Sequence, residues 1–378
     1  MVNPVQSKIA LLLPNLDGGG AGIFVIGLAN QLAMDGFSVD LVLVGYDNAS
    51  VRMLDGRIRI INLNSRGALL ALIPLVRYLK QARPTALIAT SVHVNVVAII
   101  ASLTLRNSVR VYVRETTTPS KDDQFKKKHI KAKILSVLRR WLYPLANKVI
   151  APSHGVADDL SNYLNIPRKN IAVIPNGLNF DLILEKAIGS IDHPFFLNQT
   201  DPVIIGVGRL SAEKDFKTLI HAFRQVLLQR PARLVILGEG ALRDELEDLI
   251  RVLGVEGRVA LPGVVDNPYK YMHRASVFVL SSLYEGFPNV LLEALAVGTH
   301  VVATDCQSGP REILAGGRYG ALVSVGDVEA MSSAIIAALD DKSEKPALNA
   351  LREHYGIGHV ASNYAKALGM AEPVPSHN

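Results

Sequence analysis

Short apolar runs rich in β-branched residues alternate with helical patterns along this chain, and after residue 200 the alternation begins again. In the first half, strands are expected at 8–16, 38–45, 85–91, 109–115 and 148–153, and 171–177 closes that half. In the second half they are expected at 202–210, 232–240, 258–263, 276–282 and 300–305, with helices at 215–229, 241–253, 288–297 and 327–339 between and after them. Continuously apolar strands separated by helices indicate a parallel sheet covered on both faces. Two such series predict an α/β chain of two doubly wound domains, residues 1–180 and 181–353. The segment 179–201 connects them, and the tail 354–378 carries a last helix expected to pack back on the N-terminal domain. A length of 378 residues, 49% of them hydrophobic, suffices for two cores.

Doubly wound sheets bind ligands beyond the C-terminal ends of their strands, so the loops there carry the chemistry. "GVGRLSAEKDF" (206–216) places Arg209 and Lys214 five positions apart before a helix, two cations suited to a diphosphate. "LGEG" (237–240) holds Gly238 and Gly240, read as a tight turn that admits a ligand closely. "LPGVVDNPYKYM" (261–272) puts Gly263 and Val264 at a strand end, where backbone groups can read a nucleobase edge. "YEGFPNVLLEAL" (284–295) reads as a loop entering a helix, with Pro288 in the first turn and Gly298 past the end. Glu285 lies in that loop and Glu293 about two turns into the helix. A ligand lying across the helix N-terminus meets a carboxylate at each end and an anion site between them.

Charge divides unevenly. Residues 1–180 carry 22 Lys+Arg against 10 Asp+Glu, and residues 181–378 carry 18 against 24. The basic half suits an anionic partner. Eight Lys+Arg fall in "KDDQFKKKHIKAKILSVLRRWLYPL" (121–145), where Ile134, Leu135, Leu138, Trp141 and Leu142 share a helical face. A basic amphipathic helix with a tryptophan suits an anionic membrane surface. The alternative is a surface helix packed on its own sheet. A single cysteine, Cys306, rules out an internal disulfide and suggests a reducing compartment. The five-residue apolar run before Pro14 is short for a signal peptide, and "VNVVAIIASLTL" is short for a membrane span. A cytoplasmic protein is expected.

Taken in series, the glycine loop "DGGGAG" (17–22), G-R-L…K, L-G-E-G, L-P-G…N-P, E-G-F-P-N-V…E and D-C-x-S-G-P-R-E-I-L resemble the family 4 retaining glycosyltransferases. The resemblance covers nearly the whole chain and is strongest over 202–325. It implies the GT-B fold, two facing Rossmann-like domains with the acceptor on the first and a nucleotide-sugar donor on the second. By the same resemblance, Arg209 and Lys214 hold the diphosphate, Glu285 contacts the transferred sugar, and Glu293 binds the ribose hydroxyls. Gly208, Gly240, Gly263, Val264 and the residues Gly286, Phe287, Pro288, Asn289 and Val290 line the donor. Gly19 and Gly20 approach its phosphate or sugar. Many relatives carry Glu where this chain has Gly22, which puts a Glu-based acceptor role at that position in doubt. His93 corresponds to a polar position near the sugar, and Arg114 and Glu115, at a strand end, are expected on the acceptor side. The resemblance implies retention of configuration, a UDP-sugar of hexose or N-acetylhexosamine type, and a lipid-linked saccharide acceptor in bacterial surface-glycan synthesis. No D-x-D motif appears, so no metal and no cofactor are expected. Residues 121–145 are expected to hold the protein peripherally on the inner face of the cytoplasmic membrane.

Three other classes would carry signatures of their own. An epimerase of the same fold acting on UDP-N-acetylglucosamine should lack the E-x7-E and G-P-R-E-I-L series. A dehydrogenase needs G-x-G-x-x-G after its first strand, which "DGGGAG" does not match. A nucleic-acid binder is suggested by charge alone, with 6% aromatic residues and no accompanying motif.

Overall fold

The computed structural model describes residues 7–16, 19–45, 53–125, 130–197, 201–341 and 348–370. Contacts divide the chain into two compact units, Met1–Leu178 with His354–Asn378, and Asn179–Glu353.

The first unit is built on a parallel seven-stranded sheet. Its strands are β1 (Lys8–Leu13), β2 (Ser38–Leu43), β3 (Arg59–Asn62), β4 (Ala86–Thr90), β5 (Arg110–Arg114), β6 (Lys148–Ala151) and β7 (Ile171–Val173), in the order β3-β2-β1-β4-β5-β6-β7. Ile9, Leu11, Val39 and Leu41 point to one face, where the helices Gly20–Met34 and Ile357–Ala367 cover them. Ala10, Leu12, Leu87 and Val111 point to the other, beneath Leu72–Ala82, Val92–Thr104 and the structure after β5. This alternation follows from the period-two pleat acting on fully apolar strands. The helix Ile357–Ala367 thus completes the core of the first unit, and its Val360, Ala361 and Tyr364 are 0% exposed.

The second unit carries a parallel six-stranded sheet: β8 (Val203–Val207), β9 (Arg233–Leu237), β10 (Val259–Gly263), β11 (Val277–Leu280), β12 (His300–Thr304) and β13 (Ala321–Val323), in the order β10-β9-β8-β11-β12-β13. Both sheets have the doubly wound, Rossmann-like order. In each, successive connections run outward in opposite directions from one central pair of strands, β1 and β4 in the first sheet and β8 and β11 in the second. The C-terminal ends of such a pair leave a crevice that no crossover helix covers.

Two expected elements take a different form. The stretch 121–145 is not described as one helix; it comprises the helices Pro119–Phe125 and Ile130–Leu142 and a 3₁₀ turn Tyr143–Leu145, with 126–129 outside the described residues. The helix of the E-x7-E stretch runs Asn289–Ala296, so Glu293 sits one turn in rather than two, and Pro288 is its N-cap rather than part of its first turn.

Candidate functional site

The loops after β8 and β11, the central pair of the second sheet, are stapled to one another. Ser281 Oγ donates to the Lys214 carbonyl at 2.7 Å, and the Leu283 amide donates to the Glu213 carbonyl at 2.8 Å. A 3₁₀ turn, Ala212–Lys214, carries the lysine into place, and Asp215 in the left-handed region (φ 44°) then caps the helix Phe216–Leu227. Lys214 Nζ lies 2.6 Å from Glu285 Oε1, and Ser282 Oγ donates to the same oxygen at 2.7 Å. The side chains are 20% and 10% exposed, enough to reach solvent and little enough to hold a fixed geometry. Thr304 Oγ1, at the end of β12, donates to the Ser282 carbonyl at 2.6 Å and ties a third loop to the cluster. The structure thus joins Lys214 with Glu285, which are 71 residues apart. It adds Ser282, which no motif singled out; its one sequence signal is the position at the end of a predicted strand, three residues before Glu285. Arg209 is exposed on the same loop as Lys214.

Glu293 is 7% exposed, and burial pushes its carboxyl up to about 7. A buried carboxyl on a helix is not an ordinary solvated position, and holding it there costs stability. Gly286, Phe287 and Pro288 are buried, whereas Asn289 and Val290 are half-exposed. A Cβ on Gly309, at φ 95°, would lie 2.5 Å from the Pro288 ring, so the S-G-P and E-G-F-P-N loops pack directly on one another. Cys306 lies in that neighbourhood; burial, followed by the charge of Glu285, pushes its thiol up to about 12 and leaves it unreactive.

The glycines of "LGEG" also serve the packing of the loops. A Cβ on Gly238 (φ 137°) would fall 1.9 Å from the Gly208 carbonyl oxygen, and one on Gly240 would fall 2.3 Å from that of Leu210. Both therefore admit the backbone of the neighbouring loop, the one that carries Arg209 and Lys214. Gly263 (φ 89°) faces the carboxylate of Glu239 in the same way, and Val264 is 74% exposed.

In the first unit, the residues beyond the central pair are Gly19 and Gly20 after β1 and His93 after β4. Gly19 caps the helix Gly20–Met34 and both glycines are exposed; Asp17 and Gly18 of that loop lie outside the described residues. Gly22 is buried in the helix. His93 is exposed, the second residue of Val92–Thr104. Ser91 just before it holds φ 96°, a strained value for a residue other than glycine.

Arg114 and Glu115 depart from the expectation: they are interior, 1% and 0% exposed. Arg114 donates to the Asn176 side chain and lies over the Phe24 ring at 4.5 Å. Burial raises the Glu115 carboxyl, opposed by Arg139, whose guanidinium is 3.5 Å away; Tyr143 Oη donates to it at 3.2 Å. Arg139 also pairs with Asp123 at 2.9 Å. Glu115 and Asp123 thus anchor the Ile130–Leu142 helix through Arg139, while Arg114 is held by Asn176 and Phe24. Among the described residues, no group of three or more His, Cys, Asp or Glu is arranged to hold a metal ion.

The profile described as Glycosyl transferases group 1 matches residues 190–354, and that described as Glycosyltransferase Family 4 matches residues 18–182. The N-acetylgalactosamine-N,N'-diacetylbacillosaminyl-diphospho-undecaprenol 4-alpha-N-acetylgalactosaminyltransferase of Campylobacter jejuni is 32% identical over 345 residues, covering 89% of this chain and 91% of that one. The chain belongs to glycosyltransferase family 4. A lipopolysaccharide core biosynthesis glycosyltransferase, LpsE of Rhizobium meliloti, is 33% identical over 52% of this chain and 54% of its own. Among solved structures, Anabaena HepE in complex with UDP and glucose superposes with a TM-score of 0.76 at 21% identity, over 96% of this chain and 100% of that one. At that identity the likeness shows the fold, which is GT-B. In this glycosyltransferase Gly19, Gly20 and His93 follow the central strand pair of the first sheet, Arg209, Lys214 and Glu285 follow that of the second, and Gly240 and Gly263 lie at the ends of β9 and β10.

Proposed function

We propose that this glycosyltransferase moves a hexose or N-acetylhexosamine from a UDP-sugar to a lipid-linked saccharide, with retention at the anomeric carbon. The observation that carries the reading is the Lys214–Glu285–Ser282 cluster at the switch point of the second sheet. Lys214 and Arg209 hold the diphosphate and stabilise the charge that builds on it as the glycosidic bond breaks. Donor binding draws Lys214 toward phosphate, and Glu285, still held by Ser282, accepts hydrogen bonds from sugar hydroxyls. Glu293 accepts from the ribose hydroxyls; the backbone of Gly286–Val290 and of Gly208, Gly240, Gly263 and Val264 lines the donor. On the first unit, Gly19, Gly20 and His93 contribute to the transferred sugar. No carboxylate is assigned as a covalent nucleophile, so the leaving phosphate accepts the acceptor's proton on the face it departs from. These cations, without metal or cofactor, neutralise the phosphates.

The lipid-linked acceptor is supported by the Campylobacter relative, whose name specifies a diphospho-undecaprenol substrate. Peripheral attachment to the inner leaflet of the cytoplasmic membrane is supported by the Ile130–Leu142 helix. Its Ile130, Ile134, Val137 and Trp141 are 74, 56, 57 and 74% exposed. At ~100° per residue, they fall within about 60° of one another. Leu135, Leu138 and Leu142 are half-buried, Leu142 against the sheet core, so the helix has a second apolar face, and Lys133 and Arg140 lie beside the outer one. No helix among the described residues is long and apolar enough to cross a membrane.

The test is UDP release from a panel of UDP-sugars, with and without undecaprenyl-diphosphate-linked saccharides, followed by NMR of the new linkage. Lipid-dependent release with one sugar, lost in Glu285→Ala and Lys214→Ala, supports the reading. An inverted product removes the retaining mechanism, and no binding of any nucleotide removes the donor assignment.

A further inference from the structure

A second apolar patch lies on the first unit, away from the Ile130–Leu142 helix. Leu69, Leu70 and Ile73 are 75, 69 and 65% exposed, three large apolar side chains within five residues. They sit on a 3₁₀ turn, Leu69–Ala71, and on the start of the helix Leu72–Ala82 that continues it. Single exposed leucines are ordinary, but a cluster of this density marks a contact surface. The inner side of the same segment is fully engaged: Ala71, Leu75 and Leu79 are at most 1% exposed in the sheet core. The exposed leucines are therefore not the edge of a loosely packed helix.

The surroundings identify the occupant. Arg66 precedes the patch, and Arg77 and Lys80 follow Ile73 on the exposed face at helical spacing. Arg83 is exposed as well, and the stretch 64–84 contains these four cations and no Asp or Glu. An apolar tip with exposed cations before and after it, and no acid in its stretch, complements an anionic lipid headgroup layer over hydrocarbon. Position agrees. Leu72–Ala82 and Ile130–Leu142 lie on the same face of the seven-stranded sheet, one on each side of Val92–Thr104, which packs against both.

We propose that Leu69, Leu70 and Ile73 insert into the same anionic bilayer as the Ile130–Leu142 stripe, so that the first unit meets the membrane at two points. This rests on the membrane attachment proposed above. Two contacts fix the tilt of the unit on the surface, which one helix lying in the interface leaves variable, and the second contact binds with the effective concentration set by the first.

The single tryptophan of the chain, Trp141, separates the two ideas. Wild type reports on the helix stripe, and Leu70→Trp in a Trp141→Phe background reports on the second patch. Each is mixed with vesicles of phosphatidylcholine and phosphatidylglycerol, with and without brominated acyl chains. Quenching of both tryptophans by bromine, with protection from aqueous iodide, is the expected result. If Trp141 is quenched while Trp at position 70 stays open to iodide, the second contact is overturned and the first stands. If vesicles leave wild-type Trp141 unchanged and the protein does not sediment with them, the membrane reading itself is lost. A Leu69→Ser/Leu70→Ser/Ile73→Ser variant that keeps Trp141 is the second measurement. Its partition to anionic vesicles should drop by about tenfold, with an unchanged far-ultraviolet circular dichroism spectrum; equal partition overturns the proposal.

Discussion

Glu285 accepts from both Lys214 and Ser282 on one oxygen, and the two donors have different fates when a donor substrate arrives. Lys214 has a phosphate to turn to. Ser282 is 1% exposed and stays, so it positions the carboxylate through the reaction. Ser282→Ala should lower kcat about tenfold, the cost of about one hydrogen bond to a charged group. UDP affinity should change little, because UDP lacks the sugar that Glu285 reads; kinetics beside UDP titration separate the two. Glu293 gives a pH signature. Its folded carboxyl titrates near 7 against an ordinary value of 4.5. Raised carboxyls carry no penalty below the unfolded value and the full penalty above the folded one. Stability from this group therefore falls as pH rises from about 4.5 to 7, by about 3 kcal/mol. Glu293→Gln should melt above wild type at pH 8 and level with it at pH 4.5, read by thermal unfolding across that range. The E-x7-E spacing was legible in sequence, but the burial of its second glutamate was not. Burial depends on Tyr269 and the other neighbours that the fold brings around it.

At the scale of elements, the inner strands were readable because each is an apolar run buried on both faces. The strands not read as such, β3, β7 and β13, are four, three and three residues long, and each lies at an edge of its sheet. An edge strand pairs on one side and needs less apolar sequence, so its signal is weak. The Ile130–Leu142 helix shows the limit of periodicity in another way. Its cations count toward a basic face in sequence, yet Arg139 is 1% exposed and points inward to Glu115 and Asp123. Removing it leaves the Glu115 carboxylate buried without its partner. Arg139→Met should destabilise the first unit by about 3–5 kcal/mol, and Arg139→Met/Glu115→Leu should regain much of that. Urea unfolding of the two variants checks this. Equal losses would mean that Asp123 and Tyr143, rather than the buried pair, hold the helix.

For the whole molecule, sequence order and structural membership diverge. Residues 354–370 follow the entire second unit, yet they complete the first. The Leu178 amide donates to the Tyr355 carbonyl at 2.8 Å, the Ile357 amide donates back to Leu178 at 3.0 Å, and Tyr364 and Leu368 are 0% exposed. Fully burying one large apolar side chain contributes roughly 1.5–3 kcal/mol. The helix Ile357–Ala367, with Leu368, buries several, a sum comparable to the roughly 5–15 kcal/mol that holds a domain folded. A chain ending at residue 353 should therefore lose the cooperative melting of the first unit while the second unit, Asn179–Glu353, melts as before. Adding a peptide of residues 354–370 should restore the lost transition in a concentration-dependent way, since binding to the folded form alone stabilises by mass action. Differential scanning calorimetry reads both transitions in one scan. If the shortened chain kept both, the first unit would be stable on its own strands, and the terminal helix would be a covering rather than a part of the core.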